Sequence, residues 1–96
     1  MGVNPKSLEV RNNTEDSQYE INVNGYLAKI EYVLRNDRII FVHTEVPDQL
    51  EGQGIASKMA RYALEDVKAK GYKVVPRCPF VRGYIERHPE YQSLVQ

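Results

Sequence analysis

The first half of the chain alternates between apolar and polar residues, which is the pattern of half-buried β-strands. Asn24-Gly25 interrupts the alternation with a strong hairpin signal, and the polar stretches 13–17 and 35–38 predict further turns. The pattern therefore predicts an antiparallel meander of four strands, the first of them at the edge of the sheet. These strands are expected over residues 8–12, 19–23, 26–34 and 39–46.

After Pro47 the hydrophobic period changes to that of an amphipathic helix, which ends with Lys68 and Lys70 in its last turn and Gly71 as its stop. A short apolar run over 72–75 then predicts a buried strand. A strand, a crossover helix and another strand imply a parallel pair with a right-handed connection. The apolar helix face consists of Ile55, Met59, Ala60, Ala63, Leu64 and Val67.

Beyond this unit, the sequence predicts one more helix. Pro79 is suited to the first turn of a helix, and Pro89 limits its length. Tyr91, Leu94 and Val95 are expected in a final turn that docks on the core. The predicted fold is α+β: an antiparallel meander, a crossover helix, a fifth strand parallel to the fourth, and a C-terminal helix.

Composition narrows the possible roles. A length of 96 residues favours one small domain over 1–96, with residues 1–6 flexible. Thirteen basic and thirteen acidic residues cancel, so no overall field favours nucleic acid or an anionic membrane as a partner. No apolar run approaches the roughly 20 residues of a membrane span, and the first residues lack a signal-peptide core, so we expect a cytoplasmic protein. The lone Cys78 agrees with a reducing compartment.

Gly52 and Gly54 lie between the predicted fourth strand and the first helix. Two glycines separated by one residue let the main chain approach a ligand closely, and a helix start supplies free N–H groups and a positive dipole end. The loop therefore reads as a diphosphate cradle. The alternative is that both glycines only shape a tight turn before the helix.

Two other phosphate-binding motifs do not fit this loop. A P-loop needs GxxxxGK[ST]. If Gly52 is the first glycine of that motif, the second should stand at position 57, which is Ser57. A dinucleotide fingerprint comes closer, as GxGxxS over 52–57 with Arg77 near the end of the next strand. Its third glycine is missing, however, and a doubly wound sheet cannot be built behind this antiparallel meander.

Separated segments in the chain resemble the GNAT acetyltransferase superfamily. EGQGIA has the spacing of the superfamily's [QR]xxGx[GA] segment, and the other segments are similar to its small YjdJ-type subfamily. The segments are HTEVP at 43–47, EGQGIA at 51–56, VVPRCPFV at 74–81, and YI at 84–85 with HPEY at 88–91. Glu51 departs from the motif, because Gln or Arg is usual at its first position. The motif can also be aligned to begin at Gln49, over residues 49–54, but Ile55 and Ala56 fit the first alignment better.

The resemblance implies that the loop and helix start hold the diphosphate of acetyl coenzyme A (acetyl-CoA), used as a co-substrate without a metal. It also implies that the strands at 39–46 and 72–75 splay apart around the pantetheine arm, beside the main chain of Thr44, Glu45 and Val46. Helices usual at the N-terminus of larger relatives are missing, which implies an open acceptor side. The other cofactor residues so assigned are Glu51, Gly52, Gln53, Gly54, Ile55, Ala56, Ser57 and Tyr84.

Acetyl transfer to an amine requires removal of a proton, because an alkyl amine with a pKa of about 10.4 is mostly charged at neutral pH. Strand alternation places Phe41, His43 and Glu45 on one face of the sheet, and Val42, Thr44 and Val46 on the other. His43 and Glu45 are therefore candidates for a catalytic pair. The alternative is a hydrogen-bonded pair that only covers a sheet face.

Cys78 is the third catalytic candidate. It follows the second splayed strand, between Arg77 and a proline-started helix, where a cation and a helix N-terminus favour a thiolate. The alternative is a cysteine that simply packs in the core.

In the general superfamily pattern, an Asn here is followed by Ala three residues on and Tyr seven residues on, and the Tyr often protonates the departing thiolate. This chain has Cys78, Val81 and Ile85, with the tyrosine displaced to Tyr84, about 100° away on a helix. Cys78 either replaces this acid or takes the acetyl group as a nucleophile. Direct transfer in a ternary complex is the default for the superfamily.

The sequence and its resemblance together favour an acetyl-CoA-dependent N-acetyltransferase that acts on an unidentified amine, either a small molecule or a protein. The alternative is a non-catalytic module that binds coenzyme A or acyl-CoA and regulates a partner. Arg82, Arg87 and His88 form a polar helix face that is suited to an acidic acceptor or to the cofactor's adenosine phosphate; a solvated face is the simpler interpretation.

Overall fold

The chain forms a five-stranded mixed sheet with helices packed on one face. In a computed structural model, which describes residues 9–96, the strands lie side by side in chain order. The strands are β1 (Arg11–Asn13), β2 (Gln18–Val23), β3 (Tyr26–Arg35), β4 (Arg38–Glu45) and β5 (Lys73–Pro76), and the helices are α1 (Ile55–Lys70) and α2 (Pro79–Arg87). Strands β1 to β4 are antiparallel, and β5 runs parallel to β4. The predicted fold class is confirmed.

The edge strand differs most from its prediction. It begins at Arg11 and ends at Asn13, so it is shorter and lies later than the predicted 8–12. Leu8 and the predicted flexible stretch 1–6 lie outside the described residues. No helix in the described part of the chain is long and apolar enough to cross a membrane.

Helix α1 joins β4 to β5 and supplies one side of the core. Its predicted apolar face is the face that packs, because each of its predicted apolar positions is buried. Two tyrosines tie the helix to its surroundings: the Tyr19 hydroxyl donates to Asp66 at 2.7 Å, and the Tyr91 hydroxyl donates to Glu65 at 2.7 Å. These two hydrogen bonds help to fix the orientation of α1 on the sheet, and with it the position of the first turn of α1.

The C-terminal segment covers the outer edge of β5. A 3-10 helix over Pro89–Leu94 buries Tyr91, as the predicted docked turn requires. Val95 does not join the core but forms a parallel bridge with Val74, and the Gln96 amide donates to the Val74 carbonyl at 3.0 Å. The prediction for Val95 is therefore wrong, because an edge strand needs backbone partners.

Strand β4 contains a bulge at Val42. Thr44 pairs with Ile30, whereas Phe41 pairs with Tyr32, so Val42 has no partner residue on β3. Ile30 and Tyr32 are two residues apart and both buried, so both face the core. Residues directly opposite each other share a face, and so Phe41 and Thr44 both lie on the core side.

The bulge corrects one sequence prediction. Simple alternation groups Phe41 with His43 and Glu45, and it places Thr44 on the opposite face. This grouping is wrong for Phe41 and Thr44, because the extra residue at Val42 reverses the alternation. His43 and Glu45 remain together, opposite Glu31 and Lys29 of β3, on the face away from the core.

The face of the sheet away from α1 and α2 is not covered by any part of residues 9–96, and Val33 is 40% exposed there. Glu20 on this face is nevertheless buried beneath neighbouring side chains. Its carboxylate accepts hydrogen bonds from Gln18 Nε2 at 2.6 Å and from Arg11 Nε at 2.8 Å, and Asn13 Nδ2 lies 3.4 Å away. This cluster holds the short strand β1 against β2.

Glu20→Gln should lower the free energy of unfolding by about 1 to 3 kcal/mol at pH 7, because an amide cannot accept from all three donors. Urea unfolding of both proteins measures this difference. Glu31→Gln is the matched control, because Glu31 lies on the same face. Its carboxylate is 4.0 Å from Lys29 Nζ, which is too far for a hydrogen bond. The control should change stability by no more than about 0.5 kcal/mol.

The difference in free energy of unfolding between the wild-type protein and Glu20→Gln should depend on pH. Burial raises the pKa of Glu20, but hydrogen bonds from Gln18, Asn13 and Arg11 outweigh it, so the folded-state pKa is lowered. The stability that Glu20 contributes is therefore fully present above its unfolded pKa of about 4.3. It is lost as the pH falls through the folded-state pKa. A stability difference that persisted unchanged at pH 2 would contradict this account of Glu20.

Candidate functional site

Strands β4 and β5 part after a short paired stretch. Pairing runs from Arg38 with Lys73 to Phe41 with Pro76, whereas β4 continues to Glu45. The Cys78 amide donates to the Phe41 carbonyl at 2.8 Å and is the last backbone bond between the two segments. The backbone of β4 beyond Phe41 therefore has no β5 partner. We call this opening between β4 and the Cys78 segment the wedge.

A thiol and a hydroxyl meet on the core side of the wedge. Thr44 Oγ1 lies 3.0 Å from Cys78 Sγ, within hydrogen-bonding distance. Cys78 precedes Pro79 as the N-cap of α2, as predicted, but its side chain is only 2% exposed. This contact was not predicted from the sequence, because simple alternation turns Thr44 to the other face. In this conformation the thiol is a packed, hydrogen-bonded group.

His43 and Glu45 lie on the opposite side of β4. His43 Nε2 is 3.4 Å from Glu45 Oε1, and the two side chains are 55% and 57% exposed. Each faces a charged residue of β3 across the ladder, Glu31 opposite His43 and Lys29 opposite Glu45. The structure brings the predicted pair together on the uncovered sheet face.

The glycine loop is fixed at its base. Leu50, in a 3-10 helix over Asp48–Leu50, is buried in the core, and the Glu51 amide donates to the Asp48 carbonyl at 3.2 Å. Gly54 is the N-cap of α1, with φ of 71° and ψ of 18°. A residue with a side chain adopts this left-handed conformation at a cost.

The start of α1 has the properties of an anion site. No side chain caps its first amides, and its first turn contains no acidic residue. The side chain of Gln53 adds a second requirement, because its Oε1 is buried without a hydrogen-bond partner among the described residues. A buried acceptor without a donor is costly, so a ligand that carries an anion and also offers an N–H or O–H donor fits this site.

The remaining predicted cofactor residues play unequal parts. Ile55 is buried in the core, so only its backbone is available to a ligand. Val46 packs against the core and Ala56 is partly buried. Ser57 is exposed at the loop. Glu51 is also exposed, and it does not line the groove that lies between α1 and α2.

A groove of about 850 Å³ separates α1 from α2 beside the loop. Gly54 and Ser57 line its loop end, and Tyr84 lines its α2 side. The imidazole of His88 stacks on the Tyr84 ring, with ring centroids 4.0 Å apart. Burial raises the pKa of Tyr84, against the charges of Arg61 and Arg87, so the phenol keeps its proton at neutral pH.

Helix α1 contributes residues to this groove that were not predicted from the sequence. Lys58, Arg61 and Tyr62 line it together with Ser57. These positions follow Gly54 at helical spacing on the face away from the core, and so the signal was present in the sequence. Among residues 9–96, no group of three His, Cys, Asp or Glu side chains is placed to hold a metal ion.

Comparisons with known proteins agree with this geometry. The profile of a family described as GCN5-related N-acetyl-transferase matches residues 18–94. Proteins named Protein NATD1 from Gallus gallus and Mus musculus are each 31% identical over 90 residues, which is 91% of this chain and 82% of each relative. The relative of the same name from Homo sapiens is also 31% identical over 90 residues, covering 91% of this chain and 80% of that protein.

A solved structure has the same fold. The solution structure of a GCN5-like protein from Staphylococcus aureus superposes with a TM-score of 0.71 at 28% sequence identity, over 93% of this chain and 88% of the other. The narrower YjdJ-type assignment stays a prediction. Because the family profile spans most of the chain and the superposed structure shares its topology, the chain belongs to the GCN5-related N-acetyltransferase (GNAT) family.

Proposed function

We propose that this protein is an acetyl-CoA-dependent N-acetyltransferase. The observation that carries the proposal is the uncapped start of α1 with the unpartnered Gln53 Oε1, placed directly after the strand that opens the wedge. Diphosphate supplies the anion that the helix start favours, and coenzyme A also carries amide and hydroxyl donors that suit Gln53. The cytoplasmic location and the absence of nucleic-acid or membrane partners stay predictions.

The wedge gives the pantetheine arm an extended backbone to bind. Because the Phe41 carbonyl faces β5 and the bulge at Val42 shifts the alternation by one residue, the backbone groups of His43 and Glu45 face β3. Those of Thr44 face the wedge, where they have no strand partner. These groups would bond the amides of the arm. Thr44 and Val46 would line the wedge through their backbones, as the family resemblance implies.

The uncovered sheet face is the side from which we expect the amine acceptor, small molecule or protein, to approach. Residues 9–96 leave this face open, and His43 and Glu45 stand there next to the wedge. Within one chemical step, the amine nitrogen forms a bond to the acetyl carbon and the bond from that carbon to sulfur breaks. His43 accepts the proton of the amine, and the Glu45 carboxylate stabilises the imidazolium that results.

The departing sulfur must also receive a proton. Cys78 and Tyr84 are the candidates, and Cys78 lies at the wedge, hydrogen-bonded to Thr44. The near-complete burial of Cys78 opposes attack on a thioester by its sulfur, so we favour direct transfer over an acetyl-Cys78 intermediate. In this proposal the thiol group donates the proton and regains it from solvent.

A non-catalytic coenzyme A-binding module is the second candidate. The burial of Cys78 and the position of Tyr84 in the groove favour it, since neither group is freely exposed for proton transfer. Turnover separates the two candidates. Labelled acetyl-CoA and a mixture of amines should give acetylated amine above slow hydrolysis, and cofactor binding without any product would support the module.

Gly54→Ala should weaken acetyl-CoA binding at least about tenfold, because a methyl group at the first turn of α1 stands where the diphosphate approaches. Gly71→Ala is the matched control: Gly71 caps the other end of α1 with φ of 74° and ψ of 20°. Both variants should lose about 1 kcal/mol of stability, because both force alanine into the left-handed region. Only the Gly54 variant should lose affinity.

Titration calorimetry measures these affinities, with thermal unfolding as the check on stability. Wild-type protein that binds no acetyl-CoA at millimolar concentration would overturn the proposed function. Equal loss of affinity in the Gly54 and Gly71 variants would show that the loop has no special part in binding.

Cys78→Ala should retain acetyl-CoA binding but lose transfer by about 100-fold or more, because a positioned proton donor is removed. Single-turnover kinetics and calorimetry separate the two effects. Cys78→Ser, which keeps a hydroxyl beside Thr44, should recover only part of the rate, since a hydroxyl is a weaker acid than a thiol. Full activity in the alanine variant would remove Cys78 from the mechanism, and an acetyl adduct on Cys78 by intact mass would contradict direct transfer.

A further inference from the structure

A row of apolar side chains crosses the uncovered sheet face at the end opposite the wedge. Val33 of β3 pairs with Ile40 of β4, and Ile40 pairs with Val75 of β5. Ile39 and Val74 pair with each other and are buried, so Ile40 and Val75, one position further on, point to the uncovered face. Val33 is exposed, and the other two side chains are half-buried. We call these three side chains the apolar row.

A row of cations lies beside the apolar row, nearer the end of the sheet. Arg35 pairs with Arg38, and Arg38 pairs with Lys73. All three residues are exposed. Each lies two positions along its strand from a member of the apolar row, on the same face and about 7 Å away. We call these three side chains the cationic row.

The cationic row lacks carboxylate partners. None of its three side chains forms a salt bridge with another residue in the described range 9–96, and neither does Asp37 in the turn between the two arginines. Lys73 Nζ lies 3.4 Å from the Ser93 carbonyl oxygen. Like charges directly opposite each other destabilise a sheet, so the pair of Arg35 and Arg38 is a cost to the free chain. Carboxylates from a partner would remove this cost.

The spacing of the two rows fits a helix that lies across the strands. Neighbouring strands are about 4.8 Å apart, so each row spans about 10 Å. A helix rises about 5.4 Å per turn and would place about one turn over each strand. Apolar residues at i, i+4 and i+7 would meet the apolar row, and acidic residues on the next stripe would face the cationic row. An extended segment fits less well, because its same-face side chains are about 7 Å apart.

We propose that the apolar and cationic rows together form a docking surface for an acidic amphipathic helix of a partner protein. The apolar contact supplies affinity, and the charges select the partner and orient it. An anionic membrane suits the surface less well, because Glu31 and Glu45 stand on the same face and would be repelled. The inference stands apart from the proposed function, since it uses neither the loop nor the wedge.

A synthetic peptide of about 18 residues is the probe, with leucines along one helical stripe and glutamates along the next. Titrated into isotopically labelled protein without acetyl-CoA, it should cause saturable amide shifts at residues 33–35, 38–40 and 73–75, with a Kd below about 1 mM. The affinity should fall as salt is raised. A peptide of the same composition with its leucines scattered around the helix should bind at least about fivefold more weakly.

The variant that combines Arg35→Gln with Arg38→Gln should bind the peptide at least about fivefold more weakly. Its urea midpoint of unfolding should not fall, because the variant removes a like-charge pair. The matched control combines Arg82→Gln with Arg87→Gln, which removes the same charge from α2 on the covered side of the sheet. The control should keep the wild-type affinity within about twofold.

Val33→Thr tests the apolar row. Threonine keeps the branched shape and the strand preference of valine but replaces a methyl group with a hydroxyl. This variant should bind the peptide at least about twofold more weakly, with shifts at the same amides.

The remaining outcomes would overturn the inference. They are no saturable shift at millimolar peptide, equal binding of the scattered peptide, and an equal loss of affinity in the α2 control. Binding to phosphatidylserine vesicles that the Arg35 and Arg38 variant abolishes would assign the surface to a membrane instead. A dimer of the free protein that Val33→Thr dissociates would assign it to a second copy of the chain. The proposed function would stand in each case, because the titration contains no acetyl-CoA.

Discussion

The separation of β4 from β5 after Phe41 is the constraint on which the rest of the site depends. Parallel strands normally continue to pair because unpaired backbone groups are costly. Here the bulge at Val42 bends β4, and the bond from the Cys78 amide to the Phe41 carbonyl ends the pairing. The exposed backbone that results is suited to a ligand with its own amides.

The two faces of the sheet then take different parts. On the core face, α1 and α2 place the loop, the groove and the pair of Thr44 and Cys78 around one end of the wedge. On the other face, His43 and Glu45 stand in the open. A bulge of one residue produces this division, because it turns Thr44 inward while His43 and Glu45 stay outward. The proposed cofactor and acceptor can therefore reach the wedge from opposite sides.

Much of the fold and the position of the glycine loop follow from the sequence. The alternation over β2 and β3, the helical face of α1 and the glycine loop depend on local residue order, which a sequence shows directly. The bulge at Val42 does not, because an extra residue in one strand is visible only against its partner strand. For the same reason the contact of Thr44 with Cys78, 34 positions apart, was missed. The bridge of Val95 to Val74 likewise depends on a free strand edge that only the assembled sheet creates.

The most direct test of the account is an amide chemical-shift map of the labelled protein during titration with acetyl-CoA. The account predicts that the largest shifts fall on the amides of Gly52 to Ser57 at the loop and of Thr44 in the wedge. Amides of β1 and β2 should stay nearly unchanged, because these two strands lie at the far side of the sheet from the wedge. Saturable shifts confined to β1 and β2, with the wedge and loop amides unmoved, would contradict the central claim that this opening holds the cofactor.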